Sequence, residues 1–297
     1  MIVIDYSGTA IAAIMGFQDD LRSGKDVENL IRHVIISTVK MYKKQFSREF
    51  GNEIVIACDG RNYWRKQVFE YYKYKRKKAK EESDIPWGLI HECMDNVRHD
   101  LKEYFPYKVI LVDEAEADDV MAVMSTVIAT SKVSSTGLYD EPEKVLLITS
   151  DKDMKQLLVS DRVKMYLPRD KKFAKLEESS KLFLRRLILT GDAGDGVPNV
   201  FSPSDSFFTG IRQKPATEKK MQPFLEAKSM VDATADEAIK ARIAENAKLI
   251  SFSFIPQSVK DDIVSQYNVP VVGTKMTVFN YLAHKGMNLL LQDIEDF

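Results

Sequence analysis

Val109-Ile110-Leu111-Val112-Asp113-Glu114-Ala115-Glu116-Ala117-Asp118-Asp119-Val120 joins an apolar run to an apolar-periodic helix and packs five acids into the junction. Two negative charges about 4 Å apart repel by roughly 1 kcal/mol in water and about 4 kcal/mol near a protein surface. Crowding of this kind calls for solvation or a bound cation. Acids at a helix start also answer its dipole, so in isolation the stretch has a structural explanation as well. The decision rests on whether other acids reach the same edge.

Three further runs repeat the pattern of an apolar strand closing on an aspartate: Ile2-Val3-Ile4-Asp5, Ile54-Val55-Ile56-Ala57-Cys58-Asp59 and Val145-Leu146-Leu147-Ile148-Thr149-Ser150-Asp151, with Asp153 two residues on. Continuous apolar runs are the mark of strands buried on both faces. Between them lie helical patterns, one from about Val27 to Phe46 and another from about Trp87 to Tyr104, the latter placed just after Pro86. Alternating strands and helices define an α/β fold with a mainly parallel central sheet flanked by helices. Ligands bind such sheets outside the carboxyl ends of the strands. One strand-end aspartate is ordinary turn chemistry; four at one edge point to a cation site.

Arg61 through Glu82 carries nine Lys or Arg against three Glu, interleaved with Tyr63, Trp64, Phe69, Tyr71, Tyr72 and Tyr74. Basic groups neutralise phosphates and aromatic faces stack bases, so the mixture suits a nucleic-acid surface. Its alternative is a solvated basic helix with a half-buried aromatic stripe. As one helix of about twenty residues it would span roughly 30 Å, enough to cross a cleft. Candidate contacts here are Arg61, Arg65, Lys66, Tyr74, Lys75, Lys77 and Lys78. A second loop, Gly191-Asp192-Ala193-Gly194-Asp195-Gly196, brings two more aspartates onto a tight glycine-rich turn and lacks the ligand pattern of an EF-hand. Beyond it, Arg212 and Lys214 sit in a basic turn suited to backbone phosphate. From about Met221 to Phe297 the pattern is helical, broken at Pro256 and Pro270.

Composition excludes several classes. At 297 residues and 44% hydrophobic the chain supports a substantial core. No leader and no apolar run near eighteen residues are seen, so a cytoplasmic protein is expected. Two cysteines, Cys58 and Cys93, are too few for a disulfide framework. The four histidines are scattered and make no zinc-protease motif, and there is no Gly-Lys-Ser/Thr phosphate loop. The acids Asp5, Asp59, Glu116, Asp118, Asp119, Asp151, Asp153, Asp192 and Asp195 form a hard-oxygen set. Such a set favours magnesium or manganese, and two ions about 4 Å apart can share it.

The order of Ile4-Asp5, Cys58-Asp59, Tyr72-Lys73-Tyr74-Lys75-Arg76, Glu116-Ala117-Asp118-Asp119, Ser150-Asp151-Lys152-Asp153 and Gly191-Asp192-Ala193-Gly194-Asp195 resembles the 5′ nuclease family of flap endonucleases and 5′–3′ exonucleases. Within it the likeness runs to the ribonucleases H of T-even-type phages. The resemblance implies a PIN-like 5′ nuclease core over residues 1–190, with a basic helical arch at about 61–105. It also implies a smaller helical C-terminal region, 191–297, carrying a helix-hairpin-like duplex-binding element. Asp5, Asp59, Glu116, Asp118 and Asp119 would surround one of two Mg²⁺ or Mn²⁺ ions, and Asp151, Asp153, Asp192 and Asp195 the other. Lys73 and Arg76 would hold the scissile phosphate, and Tyr72 would stack beside it. Gly210-Ile211 is followed by Arg212 where the family often has a second glycine.

The implied activity is metal-dependent 5′–3′ exonuclease and flap endonuclease hydrolysis of RNA or DNA at the 5′ ends of nicked, gapped or flapped duplexes, ribonuclease H activity included. Its setting would be removal of RNA primers from lagging-strand fragments in phage DNA replication. Single-stranded-DNA-binding protein and a sliding clamp are the implied protein partners of a monomer with no membrane role. Two alternatives stay open: a PIN-like single-strand ribonuclease and a non-catalytic nucleic-acid-binding protein.

Overall fold

The computed structural model describes residues 1–23, 26–74, 85–130 and 143–297. Its centre is a sheet of β1 (Ile2–Asp5), β2 (Ile54–Cys58), β3 (Lys108–Leu111), β4 (Val145–Ile148), β5 (Val163–Leu167) and β6 (Lys172–Phe173). The order is β3-β2-β1-β4-β5-β6. Neighbours among β1 to β5 are parallel, and β6 runs antiparallel at the edge. Every residue of β1, β2 and β4 is buried, as the apolar runs require of strands covered on both faces.

Successive strand residues point to opposite faces, and this alternation splits the core in two. Ile2, Ile4, Ile54 and Ile56 pack with Val34, Ile35 and Val39 of the helix Val27–Phe50 and with Val97 of the helix Trp87–Tyr104. Val3, Val55 and Ala57 face Val120, Met121 and Met124 of the helix Ala117–Thr130. The end of the chain returns to both faces: Val278, Tyr281 and Phe297 join the first layer, and Val259 and Ile263 the second. A third cluster lies off the sheet, where Phe69 and Tyr72 meet Leu187, Ile188, Val197, Ile243, Leu249 and Ile250. No helix among the described residues is long and apolar enough to cross a membrane.

Between β1 and β4 the winding reverses, since β2 and β4 lie on opposite sides of β1. The crevice above such a point is where ligands lodge in open parallel sheets. Asp5 ends β1, Asp59 follows β2 and Asp151 follows β4, so the chain delivers its strand-end acids to this crevice.

The basic segment departs from one continuous helix. Trp64–Val68 is helical; Phe69 is extended at φ −144°, ψ 109°, and turns follow to Lys73, whose φ is +58°. Phe69 and Tyr72 are buried at 4% and 7% exposure, so the chain bends here to bury two aromatics in the third cluster. Lys75, Arg76, Lys77 and Lys78 lie outside the described residues.

Candidate active site

The loops after β2 and β3 are joined edge to edge: Gly60 N donates to Ala115 O (2.8 Å), Asn62 N to Asp113 O (3.0 Å) and Trp64 N to Glu114 O (2.9 Å). Gly60 is required, because a Cβ there would stand 2.2 Å from the carbonyl oxygens of Val112 and Asp113. This junction aims the acidic stretch. Asp113 and Glu114 turn outward, Asp113 accepting from Asn62 Nδ2 at 2.8 Å, while Glu116, Asp118 and Asp119 turn in.

Asp5, Asp59, Asp151 and Asp192 already have local partners. Asp5 Oδ1 accepts from Gly8 N (2.9 Å) and Oδ2 from Thr149 Oγ1 (3.0 Å). Asp59 Oδ1 accepts from Ala117 N (3.0 Å), Asp151 Oδ1 from Asp153 N (2.9 Å) and Asp192 Oδ1 from Gly194 N (2.8 Å). These bonds orient the carboxylates. They also explain why no three acids converge on a common ligand point among the described residues.

Two cavities result. A cleft of about 870 Å³ is lined by Asp5, Asp59, Asp118 and Asp151 together with Arg61, Lys66, Lys73 and Tyr74. A smaller cavity of about 30 Å³ is lined by Asp153, Asp192 and Asp195 with Val197, Leu249, Ile250 and Phe252. Tyr72, Asp118 and Asp151 form walls of both. The site therefore gathers Asp5, Asp59, Asp118, Asp151, Asp153, Asp192 and Asp195 around one partition.

The electrostatics suit a divalent cation. Burial, then repulsion from Asp59, pushes the Asp5 carboxyl up to about 6. Burial, then Asp151 and Asp192, pushes Asp153 up to about 7. Asp118 rises well above the usual carboxylate range through burial, then Asp151 and Asp5. Asp153 Oδ1 is buried and has no hydrogen-bond donor among the described residues. Hard oxygen donors in mutual repulsion, one of them orphaned, are what a divalent ion would satisfy.

Three expected roles are corrected. Asp119, 0% exposed, is no candidate ligand. Its Oδ1 accepts from Arg65 Nη2 (2.7 Å), and its Oδ2 from Arg65 Nη1 (2.9 Å), Trp64 Nε1 (3.1 Å) and Glu116 N (3.1 Å). Arg65, 3% exposed, cannot reach nucleic acid. Tyr72 does not offer its ring to a nucleotide; it is buried and its hydroxyl bridges Glu116 Oε2 and Asp195 Oδ2, both at 2.9 Å. Glu116 is brought to the edge but is occupied by Arg65 Nη1 (2.7 Å), Tyr72 and Lys73 Nζ. Although burial pushes its carboxyl up, Lys73 and Arg65 hold it below the usual range.

Arg61, Lys66 and Tyr74 keep exposed positions on the cleft. Arg212 and Lys214 are exposed on a loop after Gly210, whose φ is +74°. That loop is tied back by Asn199 Nδ2 to Lys214 O (2.9 Å) and Lys214 N to Ser202 Oγ (2.9 Å). Neither residue lines either cavity. Two contributors escaped the sequence reading. Thr149 accepts from Asp151 N at 3.1 Å while donating to Asp5, and Gly8 leaves room for Asp5, since its Cβ would lie 2.3 Å from Oδ2. The only sequence signal for either was proximity to a strand-end acid.

A doubly covered, mainly parallel sheet with acids at its switch point, beside a cleft that sets acids against Arg61, Lys66 and Lys73, defines an α/β class with a candidate cation site at the strand ends. The profile of the 5′–3′ exonuclease N-terminal, resolvase-like domain matches residues 1–183, and that of the T4 RNase H C-terminal domain matches 178–297. The chain is 32% identical to the ribonuclease H of Enterobacteria phage T4, over 99% of this chain and 95% of that protein. It is 27% identical to a flap endonuclease Xni of Shewanella woodyi, over 64% of this chain and 68% of the other. The chain belongs to the 5′–3′ exonuclease family. Among solved structures, a bacteriophage T5 5′-exonuclease with bound zinc superposes with a TM-score of 0.62 at 16% identity, covering 91% of this chain and 99% of that one. A bacteriophage T5 flap endonuclease with DNA and metal ions gives 0.63 at 15% identity, covering 90% and 99%. These likenesses bear on the fold.

Proposed function

We propose that this 5′ nuclease hydrolyses phosphodiester bonds at the 5′ ends of RNA or DNA in nicked, gapped or flapped duplexes, with two Mg²⁺ or Mn²⁺ ions, and removes RNA primers from lagging-strand fragments. The observation that carries the reading is the single cleft in which Asp5, Asp59, Asp118 and Asp151 face Arg61, Lys66, Lys73 and Tyr74. Relatives named as ribonuclease H and flap endonuclease support the substrate class.

Asp5, Asp59, Asp118 and Asp151 would hold an ion on the cleft side, and Asp153, Asp192 and Asp195 one in the smaller cavity. Bound ions supply Lewis acidity and charge neutralisation for in-line displacement at phosphorus. The chain's own groups then have separate tasks. Lys73, held at the cleft wall by Glu116, presents its ammonium to the scissile phosphate. Arg61 and Lys66 neutralise the neighbouring phosphates. Tyr74, 48% exposed, takes the base-stacking role that Tyr72 cannot. Arg212 and Lys214 hold the duplex from the C-terminal region, 191–297, which also lends Asp192 and Asp195 to the site built on the core of residues 1–190. Single-stranded-DNA-binding protein and a sliding clamp remain our proposed partners in the host cytoplasm.

The test is Asp151→Asn on a 5′-flap substrate in magnesium. Loss of several kcal/mol of transition-state stabilisation, about 10³-fold in rate, is expected; cleavage at the parent's rate refutes the reading. Parallel assays on a 5′ flap, a blunt duplex and an RNA-primed nick rank the substrates. A parent that binds these nucleic acids but cuts none is a binding protein.

A further inference from the structure

The side chain of Arg65 is buried among acids on the far side of the cleft wall. Its Nε donates to Leu249 O (2.8 Å), Nη1 to Glu116 Oε2 (2.7 Å) and Asp119 Oδ2 (2.9 Å), and Nη2 to Asp119 Oδ1 (2.7 Å). Four of the five N–H groups of a guanidinium are thus used. The plane lies on the Trp64 ring, 4.5 Å from its centroid. Asp119 also accepts from Glu116 N at 3.1 Å, the third-residue half of a capping box for the helix Ala117–Thr130. One forked cation therefore ties three parts of the chain: the start of the basic segment, the start of the acidic helix, and the last turn of the helix Glu237–Ile250.

The charge count gives this fork its consequence. Glu116 and Asp119 carry two negative charges, and Arg65 balances one of them. The remainder is met from the cleft side by Lys73, whose Nζ pairs with Glu116 Oε1 and stands 3.9 Å from Asp195 Oδ1. Without Arg65, Lys73 would be the cation left beside Glu116, and the uncompensated buried charge would draw its ammonium away from the cleft.

We propose that Arg65 is a positioning residue that fixes the Glu116 carboxylate from behind and so sets where Lys73 presents its charge to the substrate. The bond to Leu249 O makes the C-terminal helix part of the same fixture. The inference rests on the nuclease reading above, because Lys73 must act on a phosphate for its placement to matter. A lysine at 65 keeps the charge but not the planar fork, so the charge alone does not satisfy the site.

The experiment is a double-mutant cycle with a fold control. Arg65→Lys is expected to lower kcat on a 5′ flap about 10²-fold, the scale of a misplacement near 1 Å, with KM changed less than threefold. Lys73→Ala should cost far less in the Arg65→Lys background than in the parent, because the ammonium is already misplaced there; losses that multiply overturn the proposal. The paired change Arg65→Met with Asp119→Leu replaces the buried ion pair by apolar packing, which such sites tolerate. It should recover the parent's melting temperature without recovering kcat, and full recovery of kcat would leave Arg65 a merely structural role. In Trp87→Phe protein without metal, Trp64 is the sole tryptophan emitter. Its emission should shift in Arg65→Lys and stay put in Lys73→Ala; no shift in the former also counts against the proposal. A parent that cuts nothing fails the nuclease reading instead, and the assignment of Arg65 falls with it.

Discussion

The two cavities on either side of the Tyr72, Asp118 and Asp151 partition differ in more than size. One is about 870 Å³ and mixes acids with Arg61, Lys66 and Lys73. The other is about 30 Å³, pairs its acids with apolar cover from Val197, Leu249, Ile250 and Phe252, and meets Arg65 only at the wall. A phosphate chain can enter the first, and the second has room for little more than an ion or water. The contrast teaches that like acids come to line a wide or a narrow space according to which loop packs beside them. Gly191, at φ +68° and with a Cβ position only 2.3 Å from Val197 O, lets the loop that carries Asp192 and Asp195 turn back on itself beside the smaller cavity.

The largest expected break of this contrast removes the shared wall. Asp151→Asn should lower hydrolysis by about 10³-fold, whereas Asp192→Asn, in the smaller cavity only, should lose roughly tenfold to a hundredfold and recover partly at higher manganese concentration. Rates against metal concentration check both. Equal losses with no recovery would mean that the cavities act as one.

Next in size is a pair of neighbours on the acidic helix. Asp119→Asn breaks a buried ion pair and should cost about 3 kcal/mol or more of stability. Asp118→Asn removes a charge already pushed toward the neutral form by burial, Asp151 and Asp5, so the metal-free protein should become slightly more stable. Urea melts in a chelator decide; the same sign for both would erase the distinction. A smaller loss, about 1 to 2 kcal/mol, is expected for Gly191→Ala, from an unfavourable positive φ and crowding of Val197 O.

The smallest effect is a pH dependence without metal. Asp5 and Asp153 titrate near 6 and 7 when folded, above the unfolded value of about 4. Folded pKa values raised in this way give stability that is complete below about pH 4 and is lost as pH rises through 6 and 7. Melting temperature in chelator should therefore fall across that window. Divalent ions should flatten or reverse the slope; a metal-free melting temperature that climbs from pH 5 to 8 would contradict the assignment.

Much of this was legible in the chain. Apolar runs closing on Asp5, Asp59 and Asp151 encode both the parallel sheet and the acidic edge, because burial on both faces and turn chemistry at a strand end are local demands. The Val27–Phe50 helix exceeds its expected end by one turn, which fraying and propensity do not determine. The basic segment read as one helix, yet burial of Phe69 and Tyr72 against the Leu187–Leu189 turn outweighs helical continuity, and no periodicity announces that. Arg65 looked like its exposed basic neighbours, and Asp119 like its acidic ones. They are 54 residues apart, and their pairing follows only once the loops after β2 and β3 are joined.

By itself, then, the sequence determined which residues end strands, which types gather at one edge, and the order of motifs that marks the family, since each of these is written in neighbouring residues. The tertiary structure alone decided which acids face the cleft and which are neutralised: Asp118 on the partition, Asp119 under Arg65, Glu116 between Arg65 and Lys73. The physical reason is that a carboxylate's role depends on the cations and N–H groups packed against it, and those arrive from distant parts of the chain.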